Sequence, residues 1–147
     1  MLFHLFFSML VSFVVFPGVM QATTVSYPSN RAWFELSIVT LFNIFDTLGR
    51  YIGGIGMFMF QAKGFGIHLV GFGRILGIVI AILIMIKTIS GDFAVYSNTI
   101  VFALTNGYIQ TICCCHAASL VDEHESNALG NLFTIAITLG VSVGGLL

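Results

Sequence analysis

Apolar residues run along the chain in five long stretches, with short polar segments between them. A spanning helix needs about 20 mostly apolar residues. The stretches lie at about 2–20, 33–60, 67–89, 93–115 and 127–147, and each is long enough. They are far longer than the roughly 9–11 residues of a transmembrane barrel strand. The pattern therefore predicts an all-α chain of about five transmembrane spans in a single bundle over 1–147, with no room for a soluble domain.

The first stretch ends at Phe16-Pro17-Gly18-Val19. A secretory signal peptide is the competing reading, with Ala22 near a cleavage site. It lacks a basic leading region, and its apolar run is longer than usual. A polar linker from Gln21 to Arg31 follows, with a turn signal at Tyr27-Pro28-Ser29-Asn30. Arg74 and Lys87 fall towards the two ends of the third stretch, where long basic side chains can reach the interface. The short turn Ser90-Gly91-Asp92 precedes the fourth stretch. The acidic segment around Asp122, Glu123 and Glu125 precedes the fifth.

Composition agrees with the pattern. The chain is 58% hydrophobic and 7% charged, with a net charge of -1. Soluble domains carry about 25% charged residues, too many to match this chain. No basic patch is available to neutralise phosphates, which excludes a nucleic-acid partner. Cys113, Cys114 and Cys115 are consecutive and have no distant partner for a disulfide. They also lack the spacing of a structural zinc site, so no metal is expected; juxtamembrane acylation is the other reading of such thiols. No phosphate loop, nucleophile elbow or metalloprotease motif occurs, so neither an enzyme nor a cofactor is implied.

The basic residues orient the chain weakly. Arg50, Lys63 and Arg74 fall on one side and Arg31 and Lys87 on the other, which favours the first side as cytoplasmic. The C-terminus would then lie outside the cytoplasm.

The candidate chemistry sits inside the second stretch. Asn43, Asp46 and Arg50 are three, four and seven residues apart, hence on one helical face. An acid and a base in hydrocarbon are costly unless they are paired or face water. The trio therefore reads as a polar site facing a cavity, able to meet hydroxyls and base edges. A self-satisfied Asp46–Arg50 pair is the alternative. A second stripe on the last stretch, Asn127, Asn131, Thr134, Thr138 and Ser142, lines a cavity or glues helices. Asn106 and Gln110 on the fourth stretch invite the same two readings. Three GxxxG pairs, Gly49/Gly53, Gly73/Gly77 and Gly140/Gly144, read as helix packing.

Phe42-Asn43…Asp46…Gly49-Arg50 resembles the FN-x-x-D-x-x-GR motif of the equilibrative nucleoside transporters. Phe16-Pro17-Gly18-Val19 resembles the end of that family's preceding helix. Ser97-Asn98 and Asn106-Gly107-Tyr108 fall where the family has its NGY-containing helix. The resemblance covers nearly the whole chain. It implies the last five of about eleven helices in a major-facilitator-like fold, cut from a larger protein. It implies nucleoside transport, or nucleobase transport as in some members, by alternating access through the plasma membrane or an internal one. Asp46 and Arg50 would contact ribose hydroxyls and Asn43 would line the cavity, beside Asn106, Asn131, Thr134 and Thr138. The partners would be the nucleoside, the bilayer and the N-terminal helices of the same transporter. A membrane scaffold with no transport activity is the alternative. The chain departs from the family at Thr47, where an aromatic is common. It also has Ala117-Ala118-Ser119-Leu120 and then acids where basic residues often occur.

Overall fold

The computed structural model describes residues 2–19, 31–60, 65–86 and 92–146. The linker and its Tyr27–Asn30 turn, Lys63, Lys87 and the Ser90-Gly91 turn lie outside the described residues. Every regular element among the described residues is helical: α1 (Leu2–Phe13), α2 (Arg31–Phe60), α3 (Phe65–Met85), α4 (Asp92–Ala118) and α5 (Ser126–Leu146). The class is all-α. α4 and α5 are each long and apolar enough to cross a membrane, and Leu2–Phe16 and Gly73–Ile84 form shorter apolar helices.

The helical path continues past α1 through Val14–Val19 but is kinked at Phe16, whose backbone is not helical (φ -124°, ψ 127°). The break has a local cause in the sequence: a residue that precedes a proline, as Phe16 does, is disfavoured in the α-conformation and takes extended angles. A 3₁₀ turn, Glu123–Glu125, leads into α5.

α2 packs chiefly against α4, and α1 against α5, while α3 rests mainly on α4. Glycines set the first two contacts. A Cβ at Gly49 would fall against the backbone of Leu104 and Tyr108, and one at Gly107 would fall against the backbone of Asp46 and Arg50. The two helices therefore touch main chain to main chain, which only residues without side chains allow. Gly140 and Gly144 do the same for α5 against Phe6, Met9 and Leu10 of α1. Two of the three GxxxG pairs thus pack helices. The third does not behave as a pair: Gly77 faces the ring of Phe102, but Gly73 faces open space.

Two apolar clusters fill the interior. One joins Val11, Val15, Phe34, Ile38, Ala81, Ile84, Val95 and Phe102. The other joins Leu5, Ile109, Cys113 and Ala136. Ser8 on α1 and Asn106 on α4 fall in sequence between the members of the two clusters, so a polar layer separates them. Outside, large apolar side chains stand in the open, among them Trp33, Tyr51, Leu76, Val101 and Leu139. A soluble monomer rarely tolerates so much exposed apolar surface, whereas lipid covers it at no cost.

Candidate functional site

The polar layer is built from four helices. On α2, Asp46 and Arg50 stand one turn apart, and Arg50 Nε donates to Asp46 Oδ2 at 2.9 Å. Asp46 is buried. Arg50 is open, with 53% of its side chain accessible. The other carboxylate oxygen, Asp46 Oδ1, accepts from Asn106 Nδ2 on α4 at 2.7 Å. The close approach at Gly107, the next residue, is what brings this amide within reach.

Asn106 Oδ1 faces the opposite way. It accepts from Arg74 Nη1 of α3 at 2.7 Å. Ser12 Oγ of α1 lies 2.7 Å from the same oxygen. Arg74 Nη2 donates to Ser12 Oγ at 2.6 Å, and Arg74 Nη1 also reaches Ser8 Oγ. The guanidinium lies over the Phe102 ring, 4.5 Å from its centroid, where cations are attracted to the aromatic face. One continuous chain of hydrogen bonds therefore runs from Ser8 and Ser12 through Arg74 and Asn106 to Asp46 and Arg50. Because Asn106 receives on its oxygen and gives from its nitrogen, its amide has one orientation only.

Arg74 corrects the expectation drawn from its place in the apolar run. It does not reach an interface; it is 2% exposed in the middle of the bundle. A guanidinium that finds three neutral oxygens and an aromatic face inside the protein has less reason to extend to the membrane surface. With Arg74 removed from the count, Arg50 and Lys63 stand against Arg31 and Lys87, and the charge bias no longer favours either orientation.

The remaining candidates are dispersed. Asn43 is exposed, and its carbonyl accepts from Thr47 Oγ1 at 2.8 Å. On α5, Asn131, Thr134, Thr138 and Ser142 are all exposed, and the buried face is Ala136, Gly140 and Gly144. Thr134 and Thr138 return their hydroxyls to the carbonyls of Gly130 and Thr134. The stripe turns away from α1 and from the Asp46 layer. Among the described residues no group of three His, Cys, Asp or Glu side chains could hold a metal.

The sequence reading missed Arg74, Ser8 and Ser12. The spacing of the two serines, one turn apart in a run whose other polar side chain is His4, was the available signal. Two of the stretches that carry the family resemblance meet in space: Phe16 and Phe42 stack with ring centroids 4.2 Å apart.

An all-helical bundle with an apolar exterior and an ionisable layer inside is the build of a membrane protein. The family is shown by comparison. The chain matches the family described as "Nucleoside transporter" over residues 1–147, and it belongs to that family. It is 30% identical to equilibrative nucleotide transporter 2 of Arabidopsis thaliana, over 95% of this chain and 33% of the relative. It is 32% identical to nucleoside transporter 2 of Leishmania donovani, over 97% of this chain and 27% of the relative. Equilibrative nucleoside transporter 1 of Rattus norvegicus is 26% identical over 93% of this chain and 32% of the relative. The chain thus spans about a third of the length of these relatives. No solved structure matches it.

Proposed function

We propose that these residues form the C-terminal five spans of a transporter that moves nucleosides by alternating access, with the other half of the cavity supplied by N-terminal helices. The observation that carries this reading is the Asp46–Arg50 pair. It is held from behind by Asn106 and leaves Arg50 half in the open. A pair serving packing alone has no need of an accessible guanidinium. Asp46 spends one lone pair of each oxygen on protein donors and keeps further acceptor capacity. Arg50 Nη1 and Nη2 remain for a ligand. Side by side they suit a ribose diol, whose hydroxyls both give and accept hydrogen bonds. Asn43, one turn before Asp46 and exposed, lies on the path to the same place. Asn131, Thr134 and Thr138 would line the cavity where α5 meets the other half. Nucleobases, which lack the diol, would be poorer ligands.

The test uses the full-length protein in a host without nucleoside uptake. Arg50→Gln keeps Asp46 tied to Asn106, so the fold survives. Loss of a charge-assisted contact to the sugar should cost about 2 kcal/mol, or roughly 30-fold in uridine affinity. Uptake within threefold of the unaltered protein, at equal membrane abundance, would retire Arg50 as a substrate contact.

A further inference from the structure

We propose that the groove between α3 and α4 binds a free long-chain carboxylic acid drawn from the lipid phase. The inference rests on the placement of α3 and α4 in a bilayer, and not on nucleoside transport.

The groove encloses about 290 Å³ and is lined by Gly73, Arg74, Leu76 and Gly77 of α3 and by Asn98 and Phe102, among others, of α4. Two of these residues carry donors that the protein leaves unanswered. Arg74 uses Nη1 and Nη2 on Ser8, Ser12 and Asn106, but its buried Nε has no hydrogen-bond partner. Asn98 is 8% exposed, and its Nδ2 has none either. An unanswered buried donor costs about 1–3 kcal/mol. Both atoms lie just behind the groove wall, and a small turn of either side chain would present it to a ligand that brings oxygen acceptors.

Charge narrows the choice. Every oxygen that Arg74 touches in the protein is neutral. Asp46, the carboxylate of the polar layer, acts on it through space but is hydrogen-bonded to it only by way of Asn106. A buried guanidinium without a direct anion is best completed by one. The walls narrow it further. Leu76 and Val101 stand at the groove and are 64% and 62% exposed, so the way in passes between aliphatic side chains. An anionic head with an alkyl tail fits both.

Depth separates free acids from phospholipids. Arg74 is nine residues from the start of α3 and eleven from its end, so it lies roughly 14 Å and 16 Å along the axis from the two ends. The ester carbonyls of a phospholipid stay at the edge of a hydrocarbon layer about 30 Å thick. A free acid, neutral when protonated, crosses that layer and can present its head at mid-depth.

Gly73 is compatible with an open groove. A Cβ there would meet nothing within 4 Å. Packing therefore does not demand glycine, which costs a helix about 1 kcal/mol relative to alanine. What its absent side chain does is leave the groove open beside Arg74.

The experiment places the full-length protein in nanodiscs with a diazirine analogue of oleic acid and maps the labelled peptides. Label is expected on the α3 and α4 residues of the groove. Oleic acid should compete at least about tenfold better than methyl oleate, and 1-octadecene should compete least, because only the acid brings an anion to the guanidinium. Gly73→Leu places a branched side chain in the groove from a position where the Cβ itself meets nothing within 4 Å. It should cut labelling at least about tenfold at an unchanged melting midpoint. Asn98→Leu should narrow the advantage of the acid over the hydrocarbon. Equal competition by 1-octadecene would mean contact with bulk lipid only and would overturn the proposal. Full labelling of Gly73→Leu, or no label on α3 and α4, would overturn it too. Nucleoside uptake, measured on the same preparations, reports separately on the transport reading.

Discussion

Replacing Asn106 by leucine tests the polar layer at its centre. The side chain takes a hydrogen bond from Arg74 at 2.7 Å and gives one to Asp46 at 2.7 Å. Both partners are ionisable and buried. A hydrogen bond to a charged group is worth about 1.5–3 kcal/mol, so Asn106→Leu should cost about 3–6 kcal/mol. Arg74 keeps its serine contacts and Asp46 keeps Arg50, which holds the loss below that of a fully stranded charge. The partner variant is Arg74→Met, which removes the charge and keeps an unbranched apolar stem. In the double variant the Arg74–Asn106 bond is lost once rather than twice. The double should therefore be about 2 kcal/mol more stable than the two single losses added together. The assay is thermal or denaturant unfolding of the four purified proteins in one detergent. Uridine uptake provides a second readout: it should stay low in the double variant, because Asp46 has still lost the amide that orients it. Losses that add within about 0.5 kcal/mol would show that Arg74 and Asn106 are not coupled, and would refute the reasoning.

Three further outcomes follow from the same geometry. Gly107→Leu should force α2 and α4 apart, at a cost of about 1–3 kcal/mol or more in melting studies, while Gly54→Ala, which faces open space, should be neutral or stabilising by up to about 1 kcal/mol; equal effects would contradict the glycine contacts. Tags at the two ends, probed in intact and permeabilised cells, should report opposite sides, as five spans require; a common side would remove one span from the count. The 147 residues expressed alone should give no saturable nucleoside uptake, since a cavity between two helix bundles cannot alternate with one of them missing; uptake that excess cold nucleoside blocks would refute it.

The helices were legible because each apolar run is long and its interruptions are short and polar. Helix bounds differ from the apolar runs by a few residues, as they do at the frayed ends of most helices. The Asp46–Arg50 contact was legible as well, because a four-residue spacing on a helix fixes reach without any tertiary knowledge. Arg74 was not. Its position eight residues into a run suggested an end, and only the arrangement of Ser8, Ser12 and Asn106 around it gives it a reason to stay inside. Those residues are 66, 62 and 32 positions away, and periodicity carries no information at that range. Gly73 and Gly77 failed for a related reason: a four-residue spacing says that two glycines share a face, not what that face meets. The α5 stripe shows the same limit. Its members do share a side of the helix, but the side packed on α1 is the one with Ala136, Gly140 and Gly144.

If α3 is one of the spans, the location of Arg74 also constrains how the chain enters the membrane during synthesis. A guanidinium at the centre of a helix costs about 2.5–3.5 kcal/mol when that helix partitions from the translocon into lipid. α3 entering by itself would bear that cost, whereas α3 entering beside α1 and α4 would find Ser8, Ser12 and Asn106 in place. α1 is synthesised first and can wait at the exit site. α4 begins at Asp92, only a few residues after α3 ends at Met85. The arrangement favours release of α3 and α4 as a hairpin onto α1, with the arginine handed from the aqueous channel to its final oxygens and never left facing acyl chains.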